Sequence, residues 1–145
     1  MIHIEKSIVI HRPVEEVFAF VTDGSKAPRW QGGLEAVEGQ ANSVGQQFTE
    51  VRKFLGKEMR SVMQITTYEP NSRWAVKVLK VPVPYEVSLQ LDPQDGGTRL
   101  TTRVDGEPTG FFKMAEGMFK SQLEKSIEED THRLKNLLEG AYRSS

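Results

Sequence analysis

Residues 46–69 read QQFTEVRKFLGKEMRSVMQITTYE, and the fold follows from how this stretch turns back on itself. Gly56 followed by Lys57 suits a two-residue turn with glycine first, so the run predicts two antiparallel strands joined at that point. Such a turn pairs Leu55 with Glu58. Phe54 then stands opposite Met59, Arg52 opposite Ser61, Glu50 opposite Met63 and Phe48 opposite Ile65, all on one face of the sheet. Lys53 with Arg60, Val51 with Val62 and Thr49 with Gln64 form the other face. The first set is the more apolar and is predicted to face inward. It carries Glu50 and Arg52 with it, and an unpaired charge there is expensive, so the two are expected to pair with each other or to meet a ligand.

Upstream, Ile2, Ile4, Ile8 and Ile10 alternate as in a strand with one buried face. Pro13 has the fixed φ tolerated in a first helical turn, and Val14, Val17, Phe18 and Val21 follow at helical spacing, so a short helix is predicted to about Thr22. Residues 23–33, DGSKAPRWQGG, are too rich in Gly and Pro for more than a turn of regular structure, which leaves Trp30 in a loop. Downstream of the hairpin, Glu69-Pro70-Asn71-Ser72 marks a turn, and Trp74, Val76 and Val78 alternate with Ala75 and Lys77. Pro82 and Pro84 cannot donate ladder hydrogen bonds and end that strand. Tyr85, Val87, Leu89 and Leu91 alternate with Glu86, Ser88 and Gln90. After Asp95-Gly96-Gly97, Leu100, Thr102 and Val104 oppose Arg99, Thr101 and Arg103. About seven strands result.

Beyond Gly110 the period changes for roughly thirty residues to that of one long helix of about 45 Å. Phe111, Met114, Met118, Phe119, Gln122, Leu123, Ile127, Leu134 and Leu138 trace its slowly drifting stripe. A stripe of that length has only the sheet to pack on. The prediction is one α+β domain over residues 1–145, with a curved antiparallel sheet wrapped around a C-terminal helix and one or two short helices after the first strand.

Composition narrows the function. Charged residues make up 27% of the 145, the net charge is -1, and no block of like charge provides the footprint of a nucleic-acid binder. No run approaches the ~20 apolar residues of a membrane span, and no signal-peptide pattern opens the chain, so a cytoplasmic protein is expected. The absence of cysteine removes disulfides, thiolate zinc sites and a cysteine nucleophile together.

Several short motifs, taken together, resemble the helix-grip fold of the START-like superfamily, also called SRPBCC. They are Arg12-Pro13-Val14-Glu15-Glu16-Val17-Phe18, Trp30, Val44-Gly45, Tyr68-Glu69-Pro70-Asn71-Ser72-Arg73, Gly97-Thr98-Arg99-Leu100 and Leu134-Lys135. Within that superfamily the chain is similar to the polyketide cyclase/dehydratase and lipid-transport group. These are turn, cap and core positions, which speak for fold rather than activity.

The resemblance implies a cavity between the concave sheet face and the last helix. Strand parity and the helical stripe nominate Trp30, Phe48, Phe54, Met63, Trp74, Tyr85, Phe111, Met114, Met118 and Phe119 as apolar lining. Glu50, Arg52 and Gln122 are the polar members. His3 and His11 are expected on the surface. Glu129 and His132 have the i, i+3 spacing of carboxylate-bridged metal bundles, but one copy of that motif falls short of a site, so neither metal nor cofactor is expected. The expected function is binding of a small apolar or amphipathic molecule, such as a lipid, isoprenoid, quinone or polyketide, by a carrier or sensor that is a monomer or homodimer. Two alternatives are a cyclase, aromatase or dehydratase using Glu50, Arg52 and Tyr85, and a protein-binding module like the chaperone activators.

Overall fold

Alternating isoleucines build the first edge of the sheet, β1 (Ile2–Ile10), with Ile2, Ile4 and Ile10 buried. The computed structural model describes residues 2–40, 42–54, 56–79, 85–107 and 116–143. Pro13 caps α1 (Val14–Val21), where Glu15 and Glu16 sit at the positive end of the helix and Val17, Phe18 and Val21 turn inward. The segment expected to be irregular holds one helical turn, α2 (Ala27–Trp30), with Pro28 in its first positions. Trp30 therefore ends a helix and is fixed in the core, because proline presets the φ that a helix start requires.

The strands β2 (Leu34–Gly39), β3 (Gln47–Phe54), β4 (Lys57–Glu69), β5 (Arg73–Leu79), β6 (Tyr85–Gln94) and β7 (Gly97–Gly106) complete an antiparallel seven-stranded sheet. Its order is β1-β7-β6-β5-β4-β3-β2. The decisive hairpin differs from the expected register. Phe54 pairs with Lys57, Arg52 with Met59, Glu50 with Ser61 and Phe48 with Met63, so the turn lies one residue earlier. Gly56 has φ 78, the left-handed region glycine enters without steric cost, and it takes the second turn position rather than the first. Moving the turn by one residue shifts every partner by two, so each side chain keeps its face.

Register through the sheet places Phe48, Met63, Val76, Val78, Val87, Leu89, Leu100, Val104 and the β1 isoleucines on one side. The last helix, α3 (Glu116–Arg143), packs against that side. It touches edge strand β1 directly and reaches the opposite edge through α2, which itself packs on β2. Contact with both edges requires the sheet to curl around the helix. Lys6, on the inner side of β1, reinforces the grip with ion pairs to Glu128 at 2.9 Å and Glu124 at 3.4 Å.

The interior is divided. One apolar group joins Ile10, Val17, Phe18, Trp30, Leu134 and Leu138 where α1 and the C-terminal half of α3 close the sheet. A second, formed by Phe48, Met63, Ile65, Val76 and Val78, comes, among the described residues, from strands. Ile127 covers a third, Ile2, Ile4 and Val104.

Candidate functional site

Along α3 the packing changes halfway. Thr131, Leu134 and Leu138 are buried, whereas Leu123, one turn before Ile127 and on the same side of the helix, is 38% exposed. Across from it on the sheet, Met59 at the start of β4 is 52% exposed although its strand parity points it inward. At Leu123 the N-terminal half of α3 is thus less tightly packed than the C-terminal half, while Phe48, Met63 and Ile65 on the inner face of β3 and β4 are buried. Met118 is 75% exposed, and at about 100° per residue both it and Gln122 fall opposite the Ile127–Leu134 side. The expected stripe included them because it drifts. In the structure the buried side runs straight through Ile127, Thr131, Leu134 and Leu138, so Met118 and Gln122 face away from the sheet.

Phe48 and Met63 are buried on the inner face, and Trp74 joins them, its ring 6.3 Å from that of Phe48. Tyr85 packs beside the same group and beside Ile2, Ile4 and Val104. Trp30 lies with Leu134 and Leu138, in the closed half. Phe111 and Met114 lie outside the described residues, as do the side chains of Phe54 and Phe119 and the Pro82–Pro84 segment.

The charged pair is oriented as its strand parity requires. Glu50 is only 13% exposed and Arg52 37%. The Arg52 Nε–H donates to Glu50 at 3.2 Å, its Nη2 to the Gln31 side chain at 2.8 Å and its Nη1 to the Gly32 carbonyl at 3.3 Å. Arg52 thus ties β3 to the turn after α2. From the other side, Asp130 of α3 accepts the Gly32 N–H at 3.0 Å, and Arg133 donates to the Trp30 carbonyl at 2.8 Å. Most of the Arg52 guanidinium is committed to holding this turn. Burial first, and then the charge of Glu50, raises the Tyr85 pKa, while Arg52 opposes the shift. Tyr85 therefore keeps its proton, and its hydroxyl has no hydrogen-bond partner among the described residues.

Gln31, Asp130 and Lys6 were not singled out in the sequence. Each acts through a partner roughly twenty to more than a hundred residues away, and no local pattern encodes such a pairing. The histidines are at the surface. His3 meets Asp105 at 2.5 Å, and His11 meets Glu139 at 3.1 Å. Among the described residues no group of three or more His, Asp or Glu is arranged to hold a metal ion, and no helix is long and apolar enough to cross a membrane.

The family model for polyketide cyclase / dehydrase and lipid transport matches residues 1–139. The chain belongs to this family. Solved structures share its helix-grip fold. Protein NE0264 from Nitrosomonas europaea superposes with a TM-score of 0.81 at 17% identity, over 98% of this chain and 97% of that one. TTHA0849 from Thermus thermophilus gives 0.79 at 17% identity, over 96% and 98%. A Rhodobacter sphaeroides protein gives 0.79 at 21% identity, over 96% and 93%. No curated protein sequence matches the chain. Family and fold together indicate a module that binds hydrophobic ligands.

Proposed function

We propose that the chain is a carrier or sensor that holds a small apolar or amphipathic molecule between the inner face of β3–β6 and the N-terminal half of α3. Phe48, Met63, Val76 and Val78 supply the apolar wall, and Trp74 and Tyr85 border it. The observation that carries this reading is the Tyr85 hydroxyl, without a hydrogen-bond partner among the described residues, beside the nearly buried Glu50 at the end of a buried apolar wall. A few convergent polar groups at the edge of an apolar surface are how such sites orient a ligand. Tyr85 donates to the ligand's polar end and Glu50 accepts from it. Arg52 keeps Glu50 in place and holds the neighbouring turn. Trp30, Met118 and Gln122 stand outside this set.

Native mass spectrometry of gently purified protein is expected to show a retained small molecule. Replacing Tyr85 by Phe keeps the ring and removes the hydroxyl, and should weaken binding of that molecule by about tenfold, the value of one hydrogen bond of roughly 1.4 kcal/mol. Protein that carries nothing, and that binds neither the aromatic hydrocarbon fluorene nor its ketone fluorenone, would sink the reading.

A further inference from the structure

The turn between α2 and β2 is held from two sides. On the side of α3, the Trp30 carbonyl accepts from Arg133 at 2.8 Å and the Gly32 N–H donates to Asp130 at 3.0 Å. On the side of β3, the Gly32 carbonyl accepts from the Arg52 side chain at 3.3 Å, and the Gly33 carbonyl accepts from the Lys53 N–H at 3.0 Å. Gly32 is therefore the joint, its donor given to the helix and its acceptor to the strand.

The two ends of this run have different surroundings. Asp130 stands one turn before Leu134, which is fully buried in the same apolar group as Trp30. Its Oδ1 also accepts from Arg133 at 3.2 Å, so the carboxylate is fixed to its own helix as well as to the turn. At the other end, Arg52 reaches Glu50 through Nε and Nη2, each 3.2 Å from the same oxygen, Oε1. Arg52 is the one hydrogen-bond partner of the Glu50 side chain among the described residues. The direction of Glu50 on the inner face is thus set by where Arg52 is held. The turn holds Arg52 through the Gly32 carbonyl and through the Gln31 side chain at 2.8 Å. A contiguous run of hydrogen bonds therefore joins Asp130 on the helix to Glu50 on the sheet, the kind of connection that carries energetic coupling between distant groups.

Resting on the binding reading above, we propose that Asp130 is a positioning residue for the polar end of the bound molecule, acting through Gly32 and Arg52 on Glu50. Asp130 itself does not meet the ligand. The sealed core thereby sets the direction of an acceptor that serves the binding wall. Such linkage is reciprocal, so a ligand group that donates to Glu50 strengthens the bond between Asp130 and Gly32 by the same factor.

The test pairs 9-hydroxyfluorene with fluorene, which share a skeleton and differ by one hydroxyl able to donate to Glu50. Wild-type protein is expected to bind 9-hydroxyfluorene about tenfold more tightly, as one net hydrogen bond predicts. Asp130→Ala removes the acceptor for Gly32 and should reduce that preference to about threefold or less, while fluorene affinity holds. Asp130→Asn keeps an acceptor for Gly32 and should restore most of the preference. In a Glu50→Leu background, Asp130→Ala should change the preference no further. A second measurement needs no variant and decides the matter even where Asp130→Ala does not fold. Hydrogen exchange at the Gly32 amide should slow when 9-hydroxyfluorene binds and not when fluorene binds. An unchanged preference in Asp130→Ala, or equal weakening of both probes, overturns this inference and leaves the binding reading standing. Equal affinity of the wild type for both probes also overturns it, since the hydroxyl then gains nothing from Glu50. Binding of neither overturns both.

Discussion

Asp130 and Glu139 stand on the same helix, and burial acts against the charge of both. At Glu139 it is outweighed by hydrogen bonds from Lys135 at 2.7 Å and from the His11 backbone N–H at 3.0 Å, so its pKa is lowered. At Asp130 burial prevails over the Gly32 N–H and over Arg133 and Arg52, so its pKa is raised. The consequences for stability have opposite signs. Glu139 stabilises the fold fully above the unfolded glutamate pKa of about 4.3, and this is lost as pH falls through the lower folded value. Asp130 binds its proton more tightly when folded, so its ionisation counts against folding once the pH exceeds the unfolded aspartate value of about 3.9. Glu139→Gln is therefore expected to lower the melting temperature at pH 7 by about 3 °C, for a loss of about 1 kcal/mol, with the difference shrinking as the pH falls below the unfolded glutamate value of about 4.3. Asp130→Asn retains an acceptor for Gly32 and is expected to raise it by about 2 °C at pH 7. Thermal melts of the two variants across pH 3 to 8 check both signs. A fall for Asp130→Asn at neutral pH would mean that the charge-assisted bonds to Gly32 and Arg133 outweigh burial.

At the scale of the element, α3 is an anchored half and a free half. The anchored half buries Leu134 completely, and Lys135 donates to the Val9 carbonyl at 2.6 Å, which covers part of the open edge of β1. Truncating Leu134 to Ala should cost about 2–5 kcal/mol, the range for a fully packed leucine. Leu123→Ala, on the same side of the helix three turns earlier, should cost less than about 1 kcal/mol, because that side chain retains contact with water. Denaturant titration of the pair measures the contrast, and equal costs would mean that the two halves are equally packed. The hairpin at Gln94–Gly97 makes a related point about β1. A Cβ on Gly97 would lie 2.6 Å from the Ile10 carbonyl oxygen, so only glycine lets the start of β7 approach the end of β1 this closely.

For the whole molecule, what the sequence made legible was parity. Alternation in β1, β3, β5 and β6 assigned Phe48, Glu50, Arg52, Trp74 and Tyr85 to the inner face, and this survived a wrong hairpin register because the error was an even number of residues. Phase along α3 was not legible. A drifting apolar stripe does not reveal which side meets the sheet when Met118 and Gln122 differ from Leu123 by only a fraction of a turn. Nor was the bracing of the turn after α2 by Arg52, Asp130 and Arg133, which joins parts of the chain about twenty to a hundred residues apart. The same division between what strands build and what helices close partitions the molecule's work. The core of Trp30, Leu134 and Leu138 is sealed and carries stability, whereas the wall of Phe48, Met63 and Val78 is strand-built and is assigned to the ligand. Leu134 and Phe48 belong to different groups that meet through Tyr68 and Trp74, and sites so separated contribute nearly independently. Leu134→Ala should therefore lower the melting temperature yet change fluorene affinity by less than about twofold. Phe48→Leu should weaken fluorene by roughly fivefold, through loss of about 1 kcal/mol of aromatic contact. Titrating both variants with fluorene below their melting temperatures separates the two roles. If Leu134→Ala weakened binding as much as Phe48→Leu, the closed core and the binding wall would be one cooperative unit, and the site would need all of α3 to hold its shape.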